Sequence, residues 1–136
     1  MEFLKLIKQK PDSRTCGQCC VATLIRKSEW FCINLFGHDH STYTREVVKV
    51  LNDLGINNSQ KLLRLSKTRT YSDICIISCT WFNESNKRKK HWVLKVHEWV
   101  YDPSIGIYHI NGINEIYETA SFLEIDNEVL NLDIKA

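Results

Sequence analysis

The hydrophobic pattern of this chain changes period once, at Gly55, and that change narrows the folds open to it. Upstream, apolar residues recur at the spacing of a helix. Cys16, Cys20, Ala22, Thr23 and Leu24 predict a largely buried helix from 16 to about 27. Asp12, Ser13 and Thr15 precede it as candidate caps, in a turn opened by Pro11. Residues 29–36 are apolar, short and closed by Gly37, which predicts a second helical turn. Val47, Val48, Leu51 and Leu54 form one stripe, with Thr42 or Thr44 able to cap and Gly55 in the helix C-terminal glycine position.

Downstream the pattern becomes β-branched and aromatic. Strands are expected at 61–65, 73–81, 91–96, 99–102, 107–110 and 122–125; upstream, ahead of the first helix, residues 3–8 are expected as a short edge strand. The basic stretch 86–90 is expected as an exposed loop. Helices followed by antiparallel strands describe an α+β domain.

With 136 residues the chain is sized for one domain, 1–136, and can bury roughly two-thirds of its unfolded surface without staples. It has no repeat or low-complexity tract. A formal charge of +2 disfavours nucleic-acid binding through bulk electrostatics. The longest apolar runs fall far short of the ~20 residues a membrane span requires. The first residues lack the apolar core of an export signal, so a cytoplasmic location is expected. In a reducing cytosol the six cysteines (16, 19, 20, 32, 75 and 79) are expected to be catalytic, metal-bound or buried rather than disulfide-linked.

Cys16-Gly17 carries the strongest chemical signal. A cysteine in the first turn of a helix meets unpaired N–H groups and the positive end of the macrodipole, both of which favour the nucleophilic thiolate. Gly17 leaves room beside the sulfur for a substrate carbonyl. Such a cysteine needs a base and an orienting group. If 91–96 and 99–102 form a hairpin with its turn at His97-Glu98, Val93 pairs with Asp102. His91 and Asp102 then share a face as diagonal neighbours.

Together, Thr15-Cys16-Gly17-Gln18-Cys19-Cys20-Val21-Ala22-Thr23, His91-Trp92-Val93-Leu94 and Val100-Tyr101-Asp102-Pro103 with Gly106 resemble the C39-like branch of the papain-like cysteine peptidases. The resemblance spans residues 9–106. Each motif alone is weak; the three in this order are fairly specific. It implies a papain-like fold, N-terminal helices packed on an antiparallel sheet, and a cysteine-dependent hydrolase without cofactor or metal. Cys16 would be the nucleophile, His91 the general base and acid, and Asp102 the orienting group. Gln9, at a gap slightly longer than usual, would be the oxyanion donor. Gly17, Trp92 and His38, the last in a substrate-facing loop, would line the substrate site.

The implied substrate is a protein or peptide. Peptide-bond cleavage is the default; glutamine deamidation or transamidation, as in related effectors and toxins, and an inactive binding module are the alternatives. Fifteen residues before Cys16 are too few for an inhibitory prosegment, and no exporter-type membrane helices are expected.

Other readings compete. Aligned on papain proper, Cys19 would attack, but Cys20 stands where that motif has an aromatic. Cys16, Cys19, Cys75 and Cys79 have zinc-like spacing. Yet the last two would lie roughly 13 Å apart on a regular strand, which favours a core role. His38-Asp39-His40 is more simply a solvated triplet than a metal site. Lys87-Arg88-Lys89-Lys90 is more simply a solvated loop than a nucleic-acid site, though it could steer acidic substrates. Trp81, Trp92 and Trp99 read as core aromatics, with Trp92 a candidate shield for the Cys16–His91 pair.

Overall fold

The computed structural model describes residues 3–134. Helices α1 (Cys16–Ile25), α2 (Glu29–Phe36) and α3 (Thr44–Asp53) come first. Strands β1 (Leu63–Arg64), β2 (Ile74–Phe82), β3 (Arg88–Val96), β4 (Trp99–Asp102), β5 (Gly106–His109) and β6 (Glu118–Glu124) follow. They form one antiparallel sheet in the order β1-β6-β2-β3-β4-β5. Short 3₁₀ segments occupy Ile110–Glu115 and Asn127–Asn131. The α+β class expected from the change of period at Gly55 is the class observed.

The two faces of the sheet carry different cores. On one, Ile74, Ile76, Trp92, Leu94, Val96 and Tyr101 pack against Cys20, Val21 and Leu24 of α1 and Val47 and Leu51 of α3. The other is smaller, built from Cys75, Ile77, Cys79, Val93, Val100 and Phe122 under Ile113 and Tyr117. Strand alternation sorts these sets. α1 is buried from Gly17 to Ile25, as a helix apolar on all sides must be. Arg26 ends it in a left-handed conformation (φ 61°), two residues before the expected boundary.

The α3 terminus follows the sequence signal closely. Gly55 (φ 75°) donates to the Asn52 carbonyl and Ile56 to that of Leu51, a Schellman closure. Its start differs: Tyr43, not Thr42 or Thr44, is the N-cap residue, and its N–H is accepted by Glu46 (2.9 Å).

Several expected strands move. Residues 3–8 form none; Leu4 N–H donates instead to the Tyr101 hydroxyl and Ile7 N–H to Thr23 Oγ1. β1 shrinks to two residues, β5 ends before Ile110, and β6 begins at Glu118, with its register shifted between Ser78 and Cys79. Arg88, Lys89 and Lys90 belong to β3 rather than a loop, pairing with Phe82, Trp81 and Thr80. Trp81 is exposed, not core, because this ribbon outruns β6, whose pairing stops at Thr80.

Candidate active site

The β3–β4 hairpin has the register computed from its two-residue turn: Val96 opposite Trp99, Lys95 opposite Val100, Leu94 opposite Tyr101. His97 supplies the positive φ (57°) that such a turn requires at its first position. The count continues to Val93 opposite Asp102, so His91 and Asp102 lie diagonally on the smaller-core face. His91 Nε2 is 2.8 Å from Asp102 Oδ1.

β4 ends at Asp102 while β3 runs on, leaving one edge of its Arg88–Trp92 portion without a strand among the described residues. Even-numbered residues of β3 turn their backbone groups toward β4, since Val96 and Trp99 close the hairpin. Past the end of β4 that edge meets the N-terminus of α1. Trp92 N–H donates to Cys16 Sγ at 3.4 Å. The first residue of the buried helix thus takes a place a strand would otherwise fill, beside the histidine.

The carboxylate is the most enclosed member. Asp102 is 0% exposed and accepts from four donors: His91, the Ser104 N–H (2.9 Å), and the Tyr108 (2.9 Å) and Tyr117 (2.8 Å) hydroxyls. Burial pushes its carboxyl up, but the hydrogen bond and charge of His91, then Ser104 and Tyr117, outweigh that and hold it below the ordinary range. Burial and the facing carboxylate push both tyrosine hydroxyls well up, keeping them donors.

Burial alone would lower His91. The hydrogen bond to Asp102, the neighbouring Cys16 sulfur and the charges of both win, raising it from 6.5 to about 9. With Nε2 on Asp102, Nδ1 is the nitrogen left for Cys16. The Tyr117 ring packs on the imidazole at 5.4 Å between centroids.

Cys19, three residues on, is in a different setting. It is fully buried and donates to Glu29 Oε2 (3.4 Å), which also receives the Thr15 hydroxyl at 2.6 Å. Burial, then the Glu29 charge, push its thiol up to about 12, so it stays protonated. Cys20, Cys32, Cys75 and Cys79 are buried in the two cores. Among the described residues no group of three or more His, Cys, Asp or Glu is placed to hold a metal ion.

Thr15 is the N-cap residue of α1, but its hydroxyl turns to Glu29 and makes no cap. The helix therefore starts with N–H groups unclaimed by a capping side chain, at the cysteine.

Gln9 donates its N–H to the Pro103 carbonyl (2.9 Å) and its Nε2 to that of Ser13 (2.9 Å). It links the segment entering α1 to the residue after Asp102. The space beside Gly17 is occupied by the chain itself rather than open to substrate: a β-carbon there would collide with Thr42 Oγ1. Trp92 places its ring in the helix-side core, on the sheet face opposite His91, with Nε1 donating to the Thr42 carbonyl (3.4 Å). His38 bonds Glu46 through Nε2 (2.5 Å) and stacks on His40. Gln18 Nε2 donates to the His38 and His40 carbonyls, fixing that loop to α1.

Tyr108, Tyr117, Ser104, Gln18 and Glu29 were not anticipated. Register counting finds Tyr108, since Asp102 opposite Gly106 puts Val100 opposite Tyr108 on the same face. Tyr117 lies beyond an irregular segment and has no such signal. No family model matches the chain, and no curated protein matches it. The functional reading therefore rests on the residues and their geometry.

Proposed function

We propose that this protein is a papain-like cysteine hydrolase of the C39-like kind, with Cys16, His91 and Asp102 as its triad. The observation that carries the reading is the convergence of three separate elements. The start of α1 brings the thiol, β3 the imidazole with Nε2 2.8 Å from the carboxylate, and the end of β4 that carboxylate, fully enclosed.

The mechanism follows from which atoms are free. Asp102 fixes Nε2–H, so Nδ1 exchanges a proton with Cys16 Sγ, giving a thiolate–imidazolium pair. The thiolate attacks a substrate carbonyl carbon, and the oxyanion that forms is met by the uncapped Cys16 N–H. Gln9 is the second candidate donor; one of its amide hydrogens is held by Ser13. Collapse expels the amine, which takes the Nδ1 proton and leaves a thioester on Cys16. His91, again neutral, removes a proton from water as it attacks, and the acid and free thiol are released. Asp102 stays ionised throughout, compensating the imidazolium.

The same steps cleave a peptide bond or release ammonia from a glutamine side chain. Peptide-bond cleavage is the function we assign. The test is mass spectrometry of a proteome treated with wild type or Cys16→Ala. New peptide termini confined to the wild type support a peptidase. Glutamine converted to glutamate without new termini would move the assignment to a deamidase. Neither change would leave the fold as a binding module and overturn the hydrolase.

A further inference from the structure

We propose that Cys16 and Cys19 are a redox modification site, closing to a reversible disulfide within the first turn of α1. The pair forms Cys-x-x-Cys at a helix N-terminus, the placement used where a dithiol must cycle. Residues three apart in a helix have β-carbons about 5–6 Å apart, against about 3.5–4.5 Å in a disulfide, so the first turn tightens by an ångström or so. The Thr15 side chain makes no cap on that turn, so no side-chain cap bond has to break as it tightens.

The two sulfurs are unequal in the way the chemistry needs. Cys16 is half-buried and faces the open edge of β3, whereas Cys19 is closed to solvent. An oxidant therefore meets Cys16 first. Cys19 Sγ already donates to Glu29 Oε2 (3.4 Å), and Thr15 Oγ1 holds the same oxygen at 2.6 Å and lies 3.8 Å from the sulfur. A carboxylate oriented on a buried thiol is unused by the hydrolytic mechanism. It is the base a resolving cysteine requires. Cys20, one residue further, is enclosed in the helix-side core, and the described residues give it no hydrogen-bonded carboxylate.

The oxidant is a hydroperoxide. The Cys16 thiolate attacks its terminal oxygen; an S–O bond forms and the O–O bond breaks, the departing oxygen takes the His91 Nδ1 proton and leaves as water or an alcohol, and Cys16 becomes a sulfenic acid. Cys19 then attacks the Cys16 sulfur. The S–S bond forms, the S–O bond breaks, and the Cys19 proton passes through Glu29 to the departing hydroxide, which leaves as water. A dithiol reductant restores both thiols by exchange. While closed, the bridge removes the attacking sulfur and protects it from irreversible over-oxidation.

The experiment treats the full chain with hydrogen peroxide and reads intact mass and non-reducing peptide maps, so its outcome is independent of hydrolytic activity. Wild type is expected to lose two hydrogens, to show a Cys16–Cys19 cross-link, and to recover fully with dithiothreitol. Cys19→Ser is expected to gain oxygen on Cys16 instead, progressing to sulfinic acid that dithiothreitol does not reverse. Glu29→Gln is expected to slow closure, but not the first oxidation, on the order of a hundredfold, as loss of a general base does. Wild type ending as Cys16 sulfinic acid, a cross-link to Cys20, or unchanged closure in both variants would overturn the proposal.

Discussion

The two halves of β3 are built from one strand yet serve different ends. From Leu94 to Val96 it is flanked by β2 and β4, and its side chains are buried. From Arg88 to Trp92 only β2 remains, Arg88, Lys89 and Lys90 are exposed, and the free edge touches Cys16. His91 sits where the regimes meet. A shorter neighbour thus does two things: it opens backbone positions to another element, and it leaves a histidine flanked by structure on one side and access on the other. Truncation in the first half should cost stability, and change in the second should cost activity or solution behaviour.

The largest effect expected is from Cys16→Ala. Hydrolytic turnover should fall by about 10⁴-fold or more. The melting temperature should barely move, because a small half-buried side chain is removed. Turnover in Cys16→Ala with loss in Cys19→Ala would reverse the roles of the two thiols. Asp102→Asn comes next, with about 10³-fold lost, since an amide can present its N–H to His91 and favour the wrong tautomer. It should also cost about 1–3 kcal/mol, because two tyrosine hydroxyls and the Ser104 N–H lose a charged acceptor. Urea denaturation and initial rates on the same preparations separate the two losses.

How much of this was legible in the sequence depends on whether a local rule governed it. Gly55 and the His97-Glu98 turn are governed by backbone geometry, and both landed where counting put them. The diagonal placement of His91 and Asp102 followed from strand parity alone. The cap of α1 failed for an instructive reason. Thr15 is a competent capping residue in the right place, but a half-buried glutamate fourteen residues away takes its hydroxyl. Gly17 was misread in a similar way, because the Thr42 side chain that fills its space comes from a loop no periodicity predicts. Residues 86–90 read as a loop because charge marks exposure, and an overhanging strand is as exposed as a loop.

Leu94→Ala tests the structural half of β3. The side chain is fully buried between α1 and the sheet, so about 2–5 kcal/mol should be lost while turnover per folded molecule is kept. A turnover loss comparable to that of Asp102→Asn would erase the division. The boundary residue adds a pH signature. His91 is raised from 6.5 to about 9, so the stability it contributes is complete below about pH 6.5 and is lost as pH rises through about 9. Denaturation midpoints of wild type and His91→Ala should therefore converge across that window; a constant difference would mean that the imidazole contributes only by packing.

The smallest effect on folding belongs to the exposed half, yet it is the most telling about why that half is basic. An unpaired strand edge invites pairing with another chain, and proteins blunt such edges with charge, lysine above all. Arg88 and Lys90 are the residues whose backbone groups point to the open edge, and their side chains have no ion-pair partner among the described residues. Arg88→Thr combined with Lys90→Thr keeps strand propensity and removes the charge. Monomer stability should change by no more than about 0.5 kcal/mol. Sedimentation velocity over rising concentration should show the double variant self-associating where wild type does not. Association suppressed by restoring Lys90 alone would place the protection on the residue nearest Cys16. Identical sedimentation of variant and wild type would mean that the short open edge needs no guard, leaving the charges to another purpose.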